Sequence, residues 1–293
     1  MVTPAAKRPG IATVPLLAPA VLLLLVWMIV PLAMTLWFSL ERYNLLNPAV
    51  RGFAGLNNYR FLLRDPTLPS VLFTTVMLVL AVLVLTIGFG TVFAALFARE
   101  FRGRNVARLL MVTPFFVMPT VSALIWKNLF MHPVNGFFAA IARGLGLPVI
   151  DWFGTLPLTS IVLIVAWEWL PFAFLIFLTA LQSLDEEQIE AARLDGAGAL
   201  AIFFFIQLPH LGRAISVVVM METIFLLAIF AEIYVTTAGG PGIATTNLPF
   251  LIYQRALLAF NVGGASAAGV IAIVLANVMA AFLVRTIARR LDV

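Results

Sequence analysis

Six long apolar runs divide this chain, separated by stretches where polar, proline and glycine residues cluster. The runs cover about 14–40, 71–98, 109–130, 160–181, 214–236 and 268–286. They are continuous rather than alternating at period two, and each reaches the ~20 residues that an α-helix needs to cross roughly 30 Å of hydrocarbon. The pattern predicts an all-α membrane protein with six transmembrane helices. Pro114 and Pro119 interrupt the third run and Pro171 the fourth; membrane helices tolerate such breaks where neighbours satisfy the freed carbonyls. The fifth run reads as one span from 214 to 236. Of the connectors, 41–70 is mixed and aromatic, 131–158 is rich in glycine and proline with a short surface helix expected at Phe137–Leu145, and Leu248–Phe260 is a short amphipathic piece.

One connector differs from the rest. Residues 182–213 hold five of the thirteen acidic residues, at 185, 186, 187, 190 and 195. A polar segment this long between two apolar blocks must face water or a protein. Asp185 is a good N-cap with Gln188 three residues on, a capping-box spacing, and Leu184 and Ile189 stand where a hydrophobic staple belongs. Glu186 and Glu187 complement the helix dipole. A short helix should start at Glu186 and weaken near Gly196 and Gly198. Residues 197–208 are apolar but too few to span, and Pro209 should end them, because the residue before a proline disfavours the helical region. Small residues at Ala191, Ala192, Gly196 and Ala197 allow another backbone to approach closely.

Composition supports the membrane reading. The chain is 63% hydrophobic and 11% charged, whereas soluble domains carry about 25% charged residues. The first run is nearly twice the apolar core of a cleaved signal peptide, so it reads as an uncleaved span behind a cytoplasmic tail at 1–13. With that tail inside, the inner segments carry eleven of the eighteen basic residues (Lys7, Arg8, Arg99, Arg102, Arg104, Arg108, Arg193, Arg213, Arg285, Arg289 and Arg290) and the outer segments seven. The bias favours N-in, C-in and places 182–213 in the cytoplasm. The net charge of +5 is topological, with no basic cluster dense enough for nucleic acid. There are no cysteines, and His132 and His210 lie far apart, which disfavours a metal site. A P-loop needs a lysine after a glycine-rich turn; Lys7 and Lys127 are the only lysines and neither stands in one. Lys127, beside Trp126, should snorkel to the outer interface.

Glu190-Ala191-Ala192, Asp195-Gly196-Ala197 and then Ile206, Leu208 and Pro209 resemble the EAA signature of ABC-importer permeases. Gly55-Leu56-Asn57-Asn58-Tyr59, with Trp167 and Pro171-Phe172, is similar to carbohydrate-uptake permeases of the MalF-like type. Ala231–Gly242 resembles most closely the permeases for sugar alcohols such as sorbitol and mannitol. Two features depart from the family: Arg213 replaces a frequent second proline, and the large periplasmic insertion of some maltose permeases is missing. The resemblance covers about residue 14 onward and implies a MetI-like permease fold in a bacterial inner membrane. It implies that Glu190, Ala191, Ala192, Asp195, Gly196, Ala197, Leu208 and Pro209 belong to a coupling helix docking on an ATPase. The implied partners are a second permease subunit, two ATP-binding cassette subunits that use ATP and Mg²⁺, a periplasmic solute-binding protein, the carbohydrate and membrane lipid. This chain itself would bind no cofactor and be no enzyme.

Charges at membrane depth are costly and suggest function. Glu168 falls near mid-depth of the fourth span, Glu222 within the fifth and Glu232 towards its outer mouth. A polyol offers hydroxyls and no charge, so carboxylates, amides and aromatic faces suit it. Trp167, Glu168, Glu232, Tyr234, Asn247 and Gln254 are the expected path residues, with Glu222 a packing or partner contact. The structural alternative for Glu168 is to satisfy the Trp167 carbonyl that Pro171 frees. Two competing functions are a proton-coupled secondary transporter relaying through Glu168 and Glu222, and a membrane-embedded enzyme.

Overall fold

A computed structural model of the chain describes residues 14–291, with side chains from 17 to 282. The tail at 1–13 with Lys7 and Arg8, and the side chains of Arg285, Arg289 and Arg290, lie outside that range. The described residues form fifteen α-helices, five short 3-10 or π-helical segments and one short hairpin. In order the α-helices and strands are α1 (Val14–Ser39), β1 (Glu41–Arg42), β2 (Gly52–Phe53), α2 (Asn57–Arg64), α3 (Leu68–Ala98), α4 (Arg104–Val112), α5 (Pro119–Ile125), α6 (Phe137–Gly144), α7 (Trp152–Thr155), α8 (Pro157–Gln182), α9 (Glu186–Leu194), α10 (Ala199–Ile202), α11 (Leu208–His210), α12 (Gly212–Leu226), α13 (Ala231–Thr236), α14 (Leu248–Tyr253) and α15 (Val262–Leu291). By length and composition α1, α3, α8 and α15 can each cross a membrane, and two bent helix pairs raise the number to as many as six.

The chain forms two compact units, one of residues up to 64 with 254–270, the other of 65–253 with the rest of α15. In the first, the Asn57-Asn58-Tyr59 motif clasps the end of α1. The Asn58 amide donates to the carbonyls of Ser39 and Glu41, both at 2.8 Å, and the Tyr59 hydroxyl to Ser39 Oγ at 2.7 Å. These bonds satisfy carbonyls that a helix end leaves open. The β1–β2 hairpin is held by the Glu41–Arg51 ion pair at 2.9 Å, with Arg51 lying over the Tyr43 ring.

The second unit is built on α3 against α8. Both helices are apolar all round, so burial is not marked by polarity. Small residues mark it instead, as in membrane packing generally, because they let backbones approach. Gly90 is the clearest case: a Cβ there would come within 3.1 Å of Ala173 and 3.2 Å of Phe177. Two core layers result. One joins Leu78, Val82, Ile161, Val165, Val219 and Ile233; the other joins Ala94, Ala173, Phe174, Phe177, Leu211 and Val218.

Two of the expected spans are broken. The third, expected at 109–130, starts at Arg104 and bends by 107° between Phe116 and Pro119. Pro119 forces Met118 into the extended region (φ −60°, ψ 137°) and then opens α5 as its first residue. The fifth, expected as continuous over 214–236, stops at Leu226 and restarts at Ala231. There Asn247 Nδ2 donates to the Ile229 carbonyl at 2.6 Å. The same amide caps α14, its Oδ1 accepting from the Phe250 amide at 3.0 Å.

Pro209 does not end the apolar helix as expected. The chain passes through a π-helical turn at Phe203–Gln207 into α11, with Pro209 near its start, and the bend of 62° comes after His210. The wider turn relieves the missing Pro209 amide, so the helical path runs on to Leu211.

Candidate functional site

The loop 182–213 folds as its local chemistry requires. Asp185 caps α9, its Oδ1 accepting from the Glu187 amide at 3.0 Å. The bond reaches the second helical residue, whereas the Gln188 amide bonds the Asp185 main-chain carbonyl at 3.2 Å. Leu184 is buried and Ile189 half-buried, as a staple requires. The end of α9 is a Schellman motif. The Ala197 amide donates to the Ala192 carbonyl at 2.9 Å and the Gly196 amide to the Arg193 carbonyl at 3.0 Å. Gly196 is left-handed (φ +85°) with no atom within 4 Å of a would-be Cβ. So Glu190, Ala191, Ala192, Asp195, Gly196 and Ala197 form one capped helix and its closing turn.

This helix stands out from the body. Glu190, Ala191, Asp195, Gly196 and Pro209 are exposed, and Ala192, Ala197 and Leu208 are half-buried. Leu194 is 89% exposed, an apolar side chain at the tip of a polar loop. Beside α9 runs a groove of about 500 Å³ between Glu190, Arg193 and Ala197 on one side and Ala98, Arg99 and Glu100 on the other. The loop's exit is tied to its entrance through His210, whose Nε2 lies 3.0 Å from the Ala180 carbonyl and 3.3 Å from Ser183 Oγ. His132 is likewise structural: its Nδ1 accepts from the amides of Val134 and Asn135, both at 3.1 Å. Among the described residues no three of His, Cys, Asp and Glu converge as a metal site would require.

At membrane depth the expected residues separate. Successive positions of α8 point 100° apart, so Trp167, Glu168 and Trp169 serve three surroundings. The Trp167 ring meets Trp126 edge-on at 5.8 Å. Glu168 is buried, with Ser122 of α5 and the Glu232 carboxyl of α13 as polar neighbours. Its carboxyl thus lies between two neighbouring helices, but its Oε1 and the Ser122 hydroxyl are both buried without a hydrogen-bond partner. The pairing of Glu168 with Glu232 is not readable from their spacing. Glu222 sits elsewhere, buried, accepting from Thr86 Oγ1 at 2.7 Å, which makes it a packing contact between α12 and α3. Asn247 is buried with both ends of its amide bound to backbone. Tyr234 is exposed and joins Phe230 and Tyr253 at ring distances of 5.5 and 5.4 Å. Gln254 belongs to the other compact unit. The Lys127 ammonium donates to the carbonyls of Val235 and Thr236, both at 2.9 Å, where the end of α13 favours a cation.

A second aromatic surface lies outside the expected set. Trp169 meets Phe225 at 5.2 Å, Phe172 at 6.0 Å and Phe115 at 6.0 Å, and Phe115 stacks on Phe172 at 6.1 Å. Phe115 and Phe225 remain 42% and 50% exposed. Three helical segments thus present one aromatic wall. The one sequence signal was its density of aromatic residues near Pro114 and Pro171; their convergence depends on the tertiary fold.

Residues 86–293 match the family described as binding-protein-dependent transport system inner membrane component. A probable ABC transporter permease, y4oQ of Sinorhizobium fredii, is 34% identical over 85% of this chain and 81% of its own length. The trehalose/maltose transport system permease MalF of Thermococcus litoralis is 33% identical over 84% and 81%. The sn-glycerol-3-phosphate transport system permease UgpA of Brucella abortus is 31% identical over 94% of both chains. Among solved structures, a chain of a bacterial alginate ABC transporter, in complex with an alginate pentasaccharide-bound periplasmic protein, superposes with a TM-score of 0.79. That match covers 95% of this chain and 94% of the other, at 18% identity.

Proposed function

This chain belongs to the family of binding-protein-dependent transport system inner membrane components, and from that premise we propose that its loop 182–213 is the lever through which separate ATPase subunits drive solute import. The chain is a multi-pass inner-membrane permease subunit of a sugar ABC importer with a MetI-like fold. It is not itself an enzyme, since ATP hydrolysis in this family belongs to a separate subunit. Such a permease works with a partner permease, ATPase subunits and a periplasmic binding protein. In the proposed arrangement the chain is N-in and C-in, and two ATPases bind ATP and Mg²⁺ on the cytoplasmic side. Their closure moves α9 and, through it, α10 to α12, so that the bundle alternates between inward-open and outward-open.

The observation that carries the docking assignment is the double-capped helix α9, held by Asp185 at one end and Gly196 at the other. It projects an exposed Leu194 beside the groove at Glu190 and Arg193. A mere connector needs neither an exposed leucine nor two caps. The capped helix also favours the importer over a proton-coupled carrier, whose relay residues Glu168 and Glu222 sit in separate surroundings.

For the solute, the aromatic wall of Phe115, Trp169, Phe172 and Phe225 suits the C–H faces of a sugar ring or polyol chain. Tyr234, exposed beside Phe230 and Tyr253, offers a second aromatic face, whereas Glu168 and Glu232 are buried and would reach a solute's hydroxyls only after the helices move. A phosphorylated solute, such as the UgpA relative is named for, needs a cation. Lys127, the lysine nearest this wall in sequence, has its ammonium committed to carbonyls of α13. An uncharged sugar needs no such cation and suits the wall's apolar faces. Sugar alcohols are the first choice from the Ala231–Gly242 segment, and disaccharides of the trehalose/maltose kind the second. Uptake of labelled mannitol, sorbitol and maltose in cells with and without this gene tests the choice. Gene-dependent uptake of a sugar alcohol supports it, and gene-dependent uptake of maltose alone moves the assignment to disaccharides.

A further inference from the structure

Where α3 ends beside α10, the surface carries an apolar groove of about 340 Å³. Val92, Ala95 and Leu96 form one wall, and Leu200, Phe203 and Phe204 the other, with Arg99 and Gln207 also lining it. Val92, Leu96, Leu200 and Phe204 are exposed, so this chain does not close the groove. Arg99 is the first residue beyond a 31-residue apolar helix, which puts it at the boundary between hydrocarbon and water. Among the described residues its guanidinium makes no hydrogen bond or ion pair. The following turn adds Arg102, exposed, and Arg104, whose Nη1 donates to the Arg99 carbonyl at 3.5 Å. Glu100 is the one acid in the stretch 99–104; Glu186 and Glu190 line the adjoining groove with Arg99 and Arg193, and among the described residues none of these acids forms an ion pair with Arg99.

We propose that this groove holds an acyl chain of an anionic phospholipid, with its phosphate on Arg99, the one basic residue that lines it. Charge complementarity at one end and an open apolar channel along the rest argue for this occupant together. A free anion would leave the channel wet, and a neutral lipid would leave Arg99 unmatched. Juxtamembrane arginines attract anionic headgroups at about 1 kcal/mol each, equivalent to about fivefold in occupancy. One wall of the groove is α10 and the π-helical turn, which follow α9 directly through Gly198. The lipid therefore braces the base of the docking loop against α3, and coupling becomes sensitive to membrane composition.

The test uses the whole importer, purified in detergent from membranes containing phosphatidylglycerol, with retained lipid measured by native mass spectrometry. The expected result is retained phosphatidylglycerol, reduced about fivefold in Arg99→Gln. Leu200→Ser, at an exposed wall position with all charges kept, should lower retention as well, and Val84→Ser, exposed on α3 outside the groove, should not. Equal retention in wild type, Arg99→Gln and Leu200→Ser would overturn the proposal. So would displacement of the lipid by free glycerol phosphate, which would reduce the site to an anion site, or cross-linking of Leu200→Cys to the partner permease in place of lipid.

Discussion

Gly196 has φ +85°, and a Cβ there would meet no atom within 4 Å, so backbone strain acts at this position before any contact with a partner does. A left-handed conformation costs most L-residues roughly 1–2 kcal/mol, and asparagine less. Gly196→Asn should therefore retain most ATP-coupled uptake, Gly196→Ala lose part of it, and Gly196→Trp lose nearly all, with immunoblots showing equal chain in the membrane. If Ala and Trp were equally defective, strain alone would explain the site and the close-approach role would fail. Asn247 makes the complementary case inside the bundle. Asn247→Ala leaves the Ile229 carbonyl and the Phe250 amide unpaired, at about 1–3 kcal/mol for each buried group. The purified complex should unfold at a lower temperature; an unchanged midpoint would mean the break at 227–230 has another cause. These two residues also differ in how far the sequence revealed them. Gly196 follows a predictable helix and is readable as its terminator. Asn247 acts on a segment eighteen residues earlier, Ile224-Phe225-Leu226-Leu227-Ala228-Ile229-Phe230, which holds no glycine, proline or polar side chain to betray a break.

Among the helices, α9 was the most legible because its start and stop are local chemistry: an acidic N-cap, acids in the first turn and a left-handed glycine. Removing the cap in Asp185→Ala should cost about 1 kcal/mol of local helix stability. It should lower the ATPase stimulation that loaded binding protein produces, and Asp185→Ser should restore it; no recovery with serine would point to a contact role for the carboxylate. The bend before α5 was half legible. Two prolines announced it, but its 107° depends on Met118 being forced extended. Least legible was which face of α3 and α8 is buried. A helix that is apolar all round carries no polar marker, and Gly90, Ala94 and Ala173 mark the contact only once the two helices are seen together. The aromatic wall shares that limit, since Phe115, Trp169 and Phe225 come from three helical segments. Trp169→Ala should raise the half-saturating solute concentration for uptake about fivefold to tenfold, the worth of one stacking contact. Basal ATP hydrolysis by the complex should be kept. Loss of both together would mark Trp169 as structural.

For the molecule as a whole, a permease without a nucleotide site of its own needs an external motor, and the membrane-facing composition leaves few polar surfaces where one could attach. The described hydrophilic stretches include the hairpin end of α1 and the loop 182–213, and the proposed N-in, C-in arrangement puts the second of these in the cytoplasm. In the proposed arrangement solute selectivity belongs to the aromatic wall, and energy input to α9. Because the chain has no cysteine, a single introduced thiol is unique within it. Leu194→Cys, at the exposed tip of α9, can carry a short photo-activated cross-linker in inside-out membranes holding the whole importer. The account predicts a covalent adduct with the ATPase subunit whose yield changes on adding ATP and Mg²⁺. An adduct only with lipid or the partner permease, with uptake intact, would contradict it.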